Sequence, residues 1–170
     1  MSNSTTDASP ILTTGLQSME FARGITDMLL STLEPDHWFK PPCPNANHAG
    51  WIVGHLALTD QAFFSALGGG QPLVPEAWDG LFGGKSVAHP DASKFPPIEE
   101  LKAALAATRE RTVEWLRSLS EAELLEPIEG DLAQFAKTRA HLMGTLAFHE
   151  GMHVGQLSVA RRAMGMPPVF

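Results

Sequence analysis

This sequence has a single cysteine, and it contains neither a long apolar run nor a leader-like segment. The single thiol, Cys43, cannot form an internal disulfide, which agrees with a reducing compartment. A nucleophilic role stays open for it, but its P-P-C-P-N setting predicts an inert loop residue. No stretch reaches the roughly 18 apolar residues of a membrane span. The opening M-S-N-S-T-T-D-A-S lacks the basic and apolar regions of a signal peptide. We therefore expect a cytoplasmic protein that does not enter a membrane.

Basic residues are also scarce. The chain has 12 Lys and Arg against 19 Asp and Glu, a net charge of −7, and no Lys/Arg run with interleaved aromatics. This balance argues against binding to a phosphate backbone, so nucleic acid is not an expected partner. With 170 residues, of which 44% are hydrophobic and 18% charged, the composition is that of one globular domain.

Strand-like alternation is missing too, and the helical period dominates instead. The first predicted helix follows Pro10, a suitable first helical residue, and stops before Pro35. The second begins near Asn47 as its N-cap and runs into the three glycines at 68–70.

Two further long helices are predicted in the second half of the chain. The third starts at Pro97 with acidic residues in its first turn, as the helix dipole favours. A short turn capped by Ser120 and Glu123 follows. The fourth starts after Asp131 and closes at Gly165, a suitable residue just beyond a helix end.

These segments predict an all-α protein whose simplest packing is a four-helix bundle. We expect residues 1–9 to be a flexible N-terminal segment and residues 10–170 to form a single domain. A Gly/Pro-rich connection spans about residues 68–97. Connections of this length are often functional lids or partly mobile segments.

The fourth helix carries H-E-G-M-H, His149 to His153, which matches the H-E-x-x-H signature of zinc metalloproteases. Residues four apart lie on one helix face with Cβ atoms about 5–6 Å apart, so the two imidazoles can converge on one cation. A catalytic zinc needs a third protein ligand, which these proteases usually take from downstream. The residues after His153 include no His, Asp, Glu or Cys. A metalloprotease is therefore not expected, and a third ligand must come from upstream.

His55 is the best upstream candidate. It lies in the middle of the second helix, in W-I-V-G-H-L-A-L-T-D, beside Gly54 and other small residues that let another helix approach. Facing His149 and His153, it would complete a three-nitrogen site with open positions. The alternative is that His55 is a hydrogen-bonded core residue and that the i, i+4 pair occurs by chance.

Three segments carry a resemblance to a known family: N-A-N-H-A-G-W-I-V-G-H-L-A-L-T-D, F-H-E-G-M-H-V-G-Q-L and the closing R-R-A-M-G-M-P-P. With the helix layout, they resemble the DinB-like superfamily, which includes bacillithiol S-transferases and mycothiol-dependent maleylpyruvate isomerases. The resemblance implies an up-down-down-up four-helix bundle, often a homodimer. It also implies one divalent metal ion held by three histidines, which by position are His55, His149 and His153.

A three-histidine site with open positions can polarise a carbonyl, lower the pKa of a bound water, or hold a thiol as thiolate. Beside it, Glu150 is predicted as a general base or a supporting carboxylate; the alternative is a flank residue that pairs with a neighbouring helix. Gln156 could hold substrate or be satisfied by the backbone, and Thr59 could line the cavity. Zinc or nickel is expected first, with iron or manganese also compatible with imidazole.

Two classes of function follow. The first is a metal-dependent enzyme acting on a small molecule, either a transferase that uses a low-molecular-weight thiol or a hydrolase. The second is a non-catalytic dimeric bundle with a structural or vestigial metal site. Incomplete coordination by three histidines favours the first.

Overall fold

The computed structural model of the protein describes residues 9–169, and within that range the regular structure is helical. The four long helices are α1, Pro10–Ser31; α2, Ala49–Ala66; α4, Ile98–Ser118; and α6, Arg139–Ala163. Two short helices lie in the connections: α3, Trp78–Phe82, and α5, Glu121–Leu125. Three 3-10 turns complete the set, at Pro35–His37, Ala92–Lys94 and Gly130–Gln134. The all-α prediction is confirmed, whereas the predicted flexible segment lies, except for Ser9, outside the described residues.

The long helices form the predicted up-down-down-up bundle. Helix α1 runs parallel to α6, since Arg23 meets Glu150 and Leu29, further along α1, meets Arg161. Helix α2 packs beside α4. It runs antiparallel to α6, since His55 meets His149 while the preceding Asn47 meets Gln156.

Two helix starts differ from the prediction. The N-cap of α2 is His48, one residue after the predicted Asn47, and its Nδ1 accepts from the backbone N–H of Trp51. Helix α6 begins at Arg139 rather than after Asp131, because the residues between form a 3-10 turn and an isolated bridge to Pro127. The side chain of Thr138 then caps α6, so the cap decides the start although the apolar period extends further back.

The connection at 68–97 is more structured than the sequence predicted. Within it, α3 buries the rings of Trp78 and Phe82, which pack edge to face with centroids 4.9 Å apart. Gly54 of α2 lies directly against Phe82, and a Cβ at this position would overlap the ring. The small residue that was expected to admit a neighbouring helix therefore admits α3, which anchors this part of the connection on the bundle.

The core consists of two apolar clusters separated by a polar layer. One cluster includes Leu56 of α2 and Leu157 of α6, and the other includes Phe63 and Leu146 of the same helices. Between these levels lie four charged side chains: Arg23, Asp60, Arg109 and Glu150. Within residues 9–169, no helix combines the length and apolarity that crossing a membrane requires.

Candidate metal centre

Three histidine imidazoles from two helices converge beside the polar layer. His55 lies on α2, and His149 and His153 lie one turn apart on α6. The Nε2 atom of His149 is 3.2 Å from Nε2 of His55 and 3.2 Å from Nε2 of His153. One ligand atom from each residue lies within 4.8 Å of the others, a grouping that could hold a metal ion. The structure thus brings together the three residues that the sequence predicted as ligands.

Acceptors on the outer nitrogens orient two of these rings. Nδ1 of His55 donates to the backbone carbonyl of Phe82 at 2.7 Å, and Nδ1 of His153 donates to Oε1 of Gln156 at 3.0 Å. Because an oxygen acceptor leaves the proton on Nδ1, both neutral rings turn an unprotonated Nε2 toward the centre. Metal-ligating histidines typically have such outer contacts. Gln156 therefore supports a candidate ligand, and its amide oxygen also accepts from Asn47 at 3.4 Å.

The proton count of the cluster fits a cation at its centre. Because Nε2 is unprotonated on both His55 and His153, a hydrogen bond between the rings requires a proton on Nε2 of His149. That one proton can be donated in only one of the two 3.2 Å contacts. The other contact brings two lone pairs together, and a cation would relieve this repulsion.

The charge state of the rings also fits metal binding. Burial lowers the pKa of His55. Burial first, and the neighbouring imidazoles second, lower the pKa of His149 and of His153 to about 4. All three rings are therefore neutral near pH 7, the form in which imidazole binds metals.

A cavity of about 430 Å³ adjoins the cluster, with His55 and His149 in its wall. This volume lies within the range of small-molecule sites. Thr59 lines the cavity, in the position that its place on the His55 stripe predicted, and Asp79 of α3 is an acidic residue of the same lining. A larger depression of about 680 Å³, between α1 and α4, contains none of the three histidines.

Glu150 does not serve the site in the way first predicted; it has the alternative role of pairing with neighbouring helices. Its Oε1 accepts from Nε of Arg23 at 2.6 Å and from Oγ1 of Thr26 at 2.8 Å, and its Oε2 accepts from Nη2 of Arg109 at 2.8 Å. The helical step of about 100° from His149 directs it between α1 and α4. Because donors outside the site occupy both oxygens, we assign Glu150 no proton-transfer role.

The polar layer is balanced in charge, with two guanidinium groups and two carboxylates. Arg109 forms a two-pronged contact with Asp60, at 2.7 and 3.1 Å, in addition to its bond to Glu150. Burial alone would lower the pKa of Arg109, but Asp60 and Glu150 outweigh it and raise that pKa. Because Glu150 lies between His149 and His153 in the chain, the layer fixes the part of α6 that carries both candidate ligands.

Sequence reasoning missed the contribution of α3 to the site. The carbonyl of Phe82 orients His55, yet a backbone acceptor has no side-chain signature in the sequence. Asp79 gave no signal either, because it lies in the Gly/Pro-rich connection. The Trp78 and Phe82 pair, four residues apart, could have indicated a short helix with one buried face.

Comparison with known proteins agrees with this architecture. A crystal structure described as the conserved protein of locus from Enterococcus faecalis is similar in fold, with a TM-score of 0.71 and 19% identity, over 90% of this chain and 96% of that one. A search of curated proteins finds no match. The model of the DinB superfamily matches residues 18–157. The chain therefore belongs to the DinB superfamily.

Proposed function

We propose that this protein is a metal-dependent enzyme that transfers a low-molecular-weight thiol to a small electrophilic substrate. The observation that carries the proposal is the convergence of three neutral imidazoles, two of which, His55 and His149, line a cavity. Structural zinc sites usually have four protein ligands, whereas catalytic sites have three and keep an open position. Within residues 9–169, no fourth His, Cys, Asp or Glu joins the group.

A divalent ion held here would act as a Lewis acid that lowers the pKa of a coordinated water and deprotonates a coordinated thiol. The protein's own residues supply the rest. His55, His149 and His153 hold the ion, while the Phe82 carbonyl and Gln156 keep the outer two rings aligned.

The position of Glu150 favours a thiol over water as the nucleophile. Attack by water commonly uses a protein base to accept its proton, and both oxygens of Glu150 are already bonded to Arg23, Thr26 and Arg109. A thiol at such an ion needs no protein base. Hydrolysis is the second candidate, because the acidic residue Asp79 lines the same cavity.

Elemental analysis of the purified protein tests the metal site. We expect about one metal ion per chain, zinc or nickel first and iron or manganese next, and its loss in His55→Ala and in His149→Ala. His141→Ala is the matched control, since His141 lies exposed on the same helix outside the cluster. Metal content that is unchanged in His55→Ala would rule out the ligand assignment.

Cobalt substitution then tests whether a coordination position is open. Addition of 2-mercaptoethanol to the cobalt(II) protein should produce thiolate-to-cobalt charge-transfer absorption, because the thiol enters an unfilled position. A spectrum that does not change would indicate a closed site and support the non-catalytic bundle. A protein that binds no metal even after reloading would also support that alternative.

A further inference from the structure

The cavity beside the histidines has walls that are almost entirely apolar. Five aliphatic or aromatic side chains from α2, α6 and the turn that precedes α6 line it: Leu58, Phe63, Leu132, Phe135 and Leu146. The Phe63 and Phe135 rings meet edge to face with centroids 5.9 Å apart, so this wall offers aromatic faces and edges. Surfaces of this kind bind compact apolar groups by removing them from water.

The charged side chains of the cavity wall have one sign. Among the described residues no lysine or arginine lines it, and Asp79 is the sole carboxylate in the lining. Lys85, although close in sequence, is exposed and not part of the wall. Away from the histidine cluster, an anionic group in the cavity would have apolar neighbours and the acidic residue Asp79, and the burial of an unpaired charge is costly.

We propose, resting on the function proposed above, that the cavity takes a compact, largely apolar substrate that is neutral or carries a cationic group facing Asp79. Anionic groups on the part of a substrate or thiol that lies away from the metal are disfavoured, since the cavity wall provides no cationic side chain to pair with them. Asp79 is thus a specificity-determining residue of the site.

Helix α3 places this carboxylate for a physical reason. The buried rings of Trp78 and Phe82 anchor the helix to the core, which leaves Asp79, next in the chain to Trp78, at the cavity rim. The same helix provides the carbonyl that accepts from Nδ1 of His55. One anchored element therefore both orients a candidate ligand and sets the charge of the substrate cavity.

Three probes with one ring system and different charges test the proposal: 2-naphthylmethylamine, 2-naphthylmethanol and 2-naphthoate. Their affinities for the metal-loaded protein are measured by isothermal titration calorimetry. Because a carboxylate can also bind the metal directly, the decisive quantity is how each affinity changes in Asp79→Asn. We expect the amine to bind about threefold to fivefold more weakly in this variant, as for an exposed ion pair, and 2-naphthoate to bind equally or more tightly.

Matched variants separate charge from shape. Glu76→Gln removes a carboxylate of the same segment that does not line the cavity, so the affinities of the amine and of 2-naphthoate should stay unchanged. Ala62→Trp fills the cavity from an exposed position of α2, and Gly84→Phe fills it from the facing segment, where a Cβ meets no neighbour. Either variant should weaken all three probes at least tenfold while the metal content stays at the parent level.

The outcomes distinguish this inference from the proposed function. Amine affinity that Asp79→Asn leaves unchanged, or 2-naphthoate that weakens with the amine, overturns the charge preference even if the metal is present. Failure of every probe to bind overturns the substrate cavity. Loss of metal from the parent, with the Asp79-dependent preference intact, overturns the proposed function but supports the cavity.

Discussion

Replacement of Glu150 by Gln tests whether the polar layer is structural. The carboxylate is fully buried and accepts from two guanidinium groups and from Thr26. Glu150→Gln keeps the size of the side chain but removes its charge, which leaves Asp60 as the buried carboxylate that pairs with both Arg23 and Arg109. One buried positive charge is then uncompensated, and the new amide N–H group faces a guanidinium donor.

The expected cost follows from that unpaired charge. Removal of one partner from a buried ion pair typically costs about 3–5 kcal/mol of unfolding free energy. A domain of this kind has a total stability of about 5–15 kcal/mol, so the variant should fold but with a much lower urea midpoint. Its metal content at low urea should remain near the parent value, because Phe82 and Gln156 orient the outer imidazoles from elsewhere.

Urea unfolding followed by circular dichroism measures this cost. Glu99→Gln is the exposed control: its partner Lys102 is 2.9 Å away at the surface, and the loss should stay below about 1 kcal/mol. The double variant Glu150→Gln with Arg109→Gln restores the charge balance, so its loss should be about 1–3 kcal/mol smaller than the sum of the single losses. A loss below 1 kcal/mol in Glu150→Gln, accompanied by loss of catalysis, would refute the structural role and restore Glu150 as the base.

Three further predictions concern the surroundings of the histidines. Gln156→Leu removes the acceptor for Nδ1 of His153 and should weaken metal binding about 10–100-fold in chelator competition, whereas Gln156→Glu keeps the acceptor and should retain the affinity. Gly54→Ala drives a Cβ into the buried Phe82 ring and should cost about 1–3 kcal/mol in urea unfolding, as an overpacked core position does. Burial lowers the pKa of His48 in the folded protein. As pH falls, His48 is therefore protonated in the unfolded chain before it is protonated in the fold, so the free energy of unfolding should decrease below about pH 6.5. The contribution of His48 to this decrease is at most about 1.4 kcal/mol per pH unit. His48→Asn keeps a capping side chain and should reduce that slope in urea unfolding between pH 7 and 5; an unchanged slope would show that other groups cause it.

Periodicity was sufficient to predict the four long helices, but not the connections between them. Proline and glycine mark the ends of α1 and α2 in the sequence, and the capping box of Ser120 and Glu123 is present as predicted. The predicted start of α6 lies seven residues before the observed one, because the choice between Asp131 and Thr138 as the N-cap depends on the bridge from Pro127. Helix α3 has only five residues, so its helical period is reduced to the single pair of Trp78 and Phe82.

Within the site, local and non-local residues differed in how far they could be predicted. His149 and His153 follow from spacing on one helix, and Gln156 from the same stripe. Asp79 reaches the cavity only through the packing of α3 on α2, which no local pattern in the Gly/Pro-rich connection describes. The role of Glu150 could not be predicted, because a carboxylate between two predicted ligands can turn toward them or toward the neighbouring helices. Its direction depends on Arg23 and Thr26 of α1 and on Arg109 of α4.

The contact of His55 with α6 also depends on the polar layer. Asp60 lies five residues after His55 on α2, Glu150 lies directly after His149 on α6, and Arg109 binds both carboxylates. A slide of α2 along α6 by one helical turn, about 5.4 Å, would break these charged contacts in the interior, where unpaired charge is most costly. We therefore infer that the polar layer sets the register in which the third imidazole faces the other two. In the sequence, Asp60 and Arg109 resemble solvent-exposed helix residues. The spacing that identifies the three histidines therefore does not identify the residues that align α2 with α6.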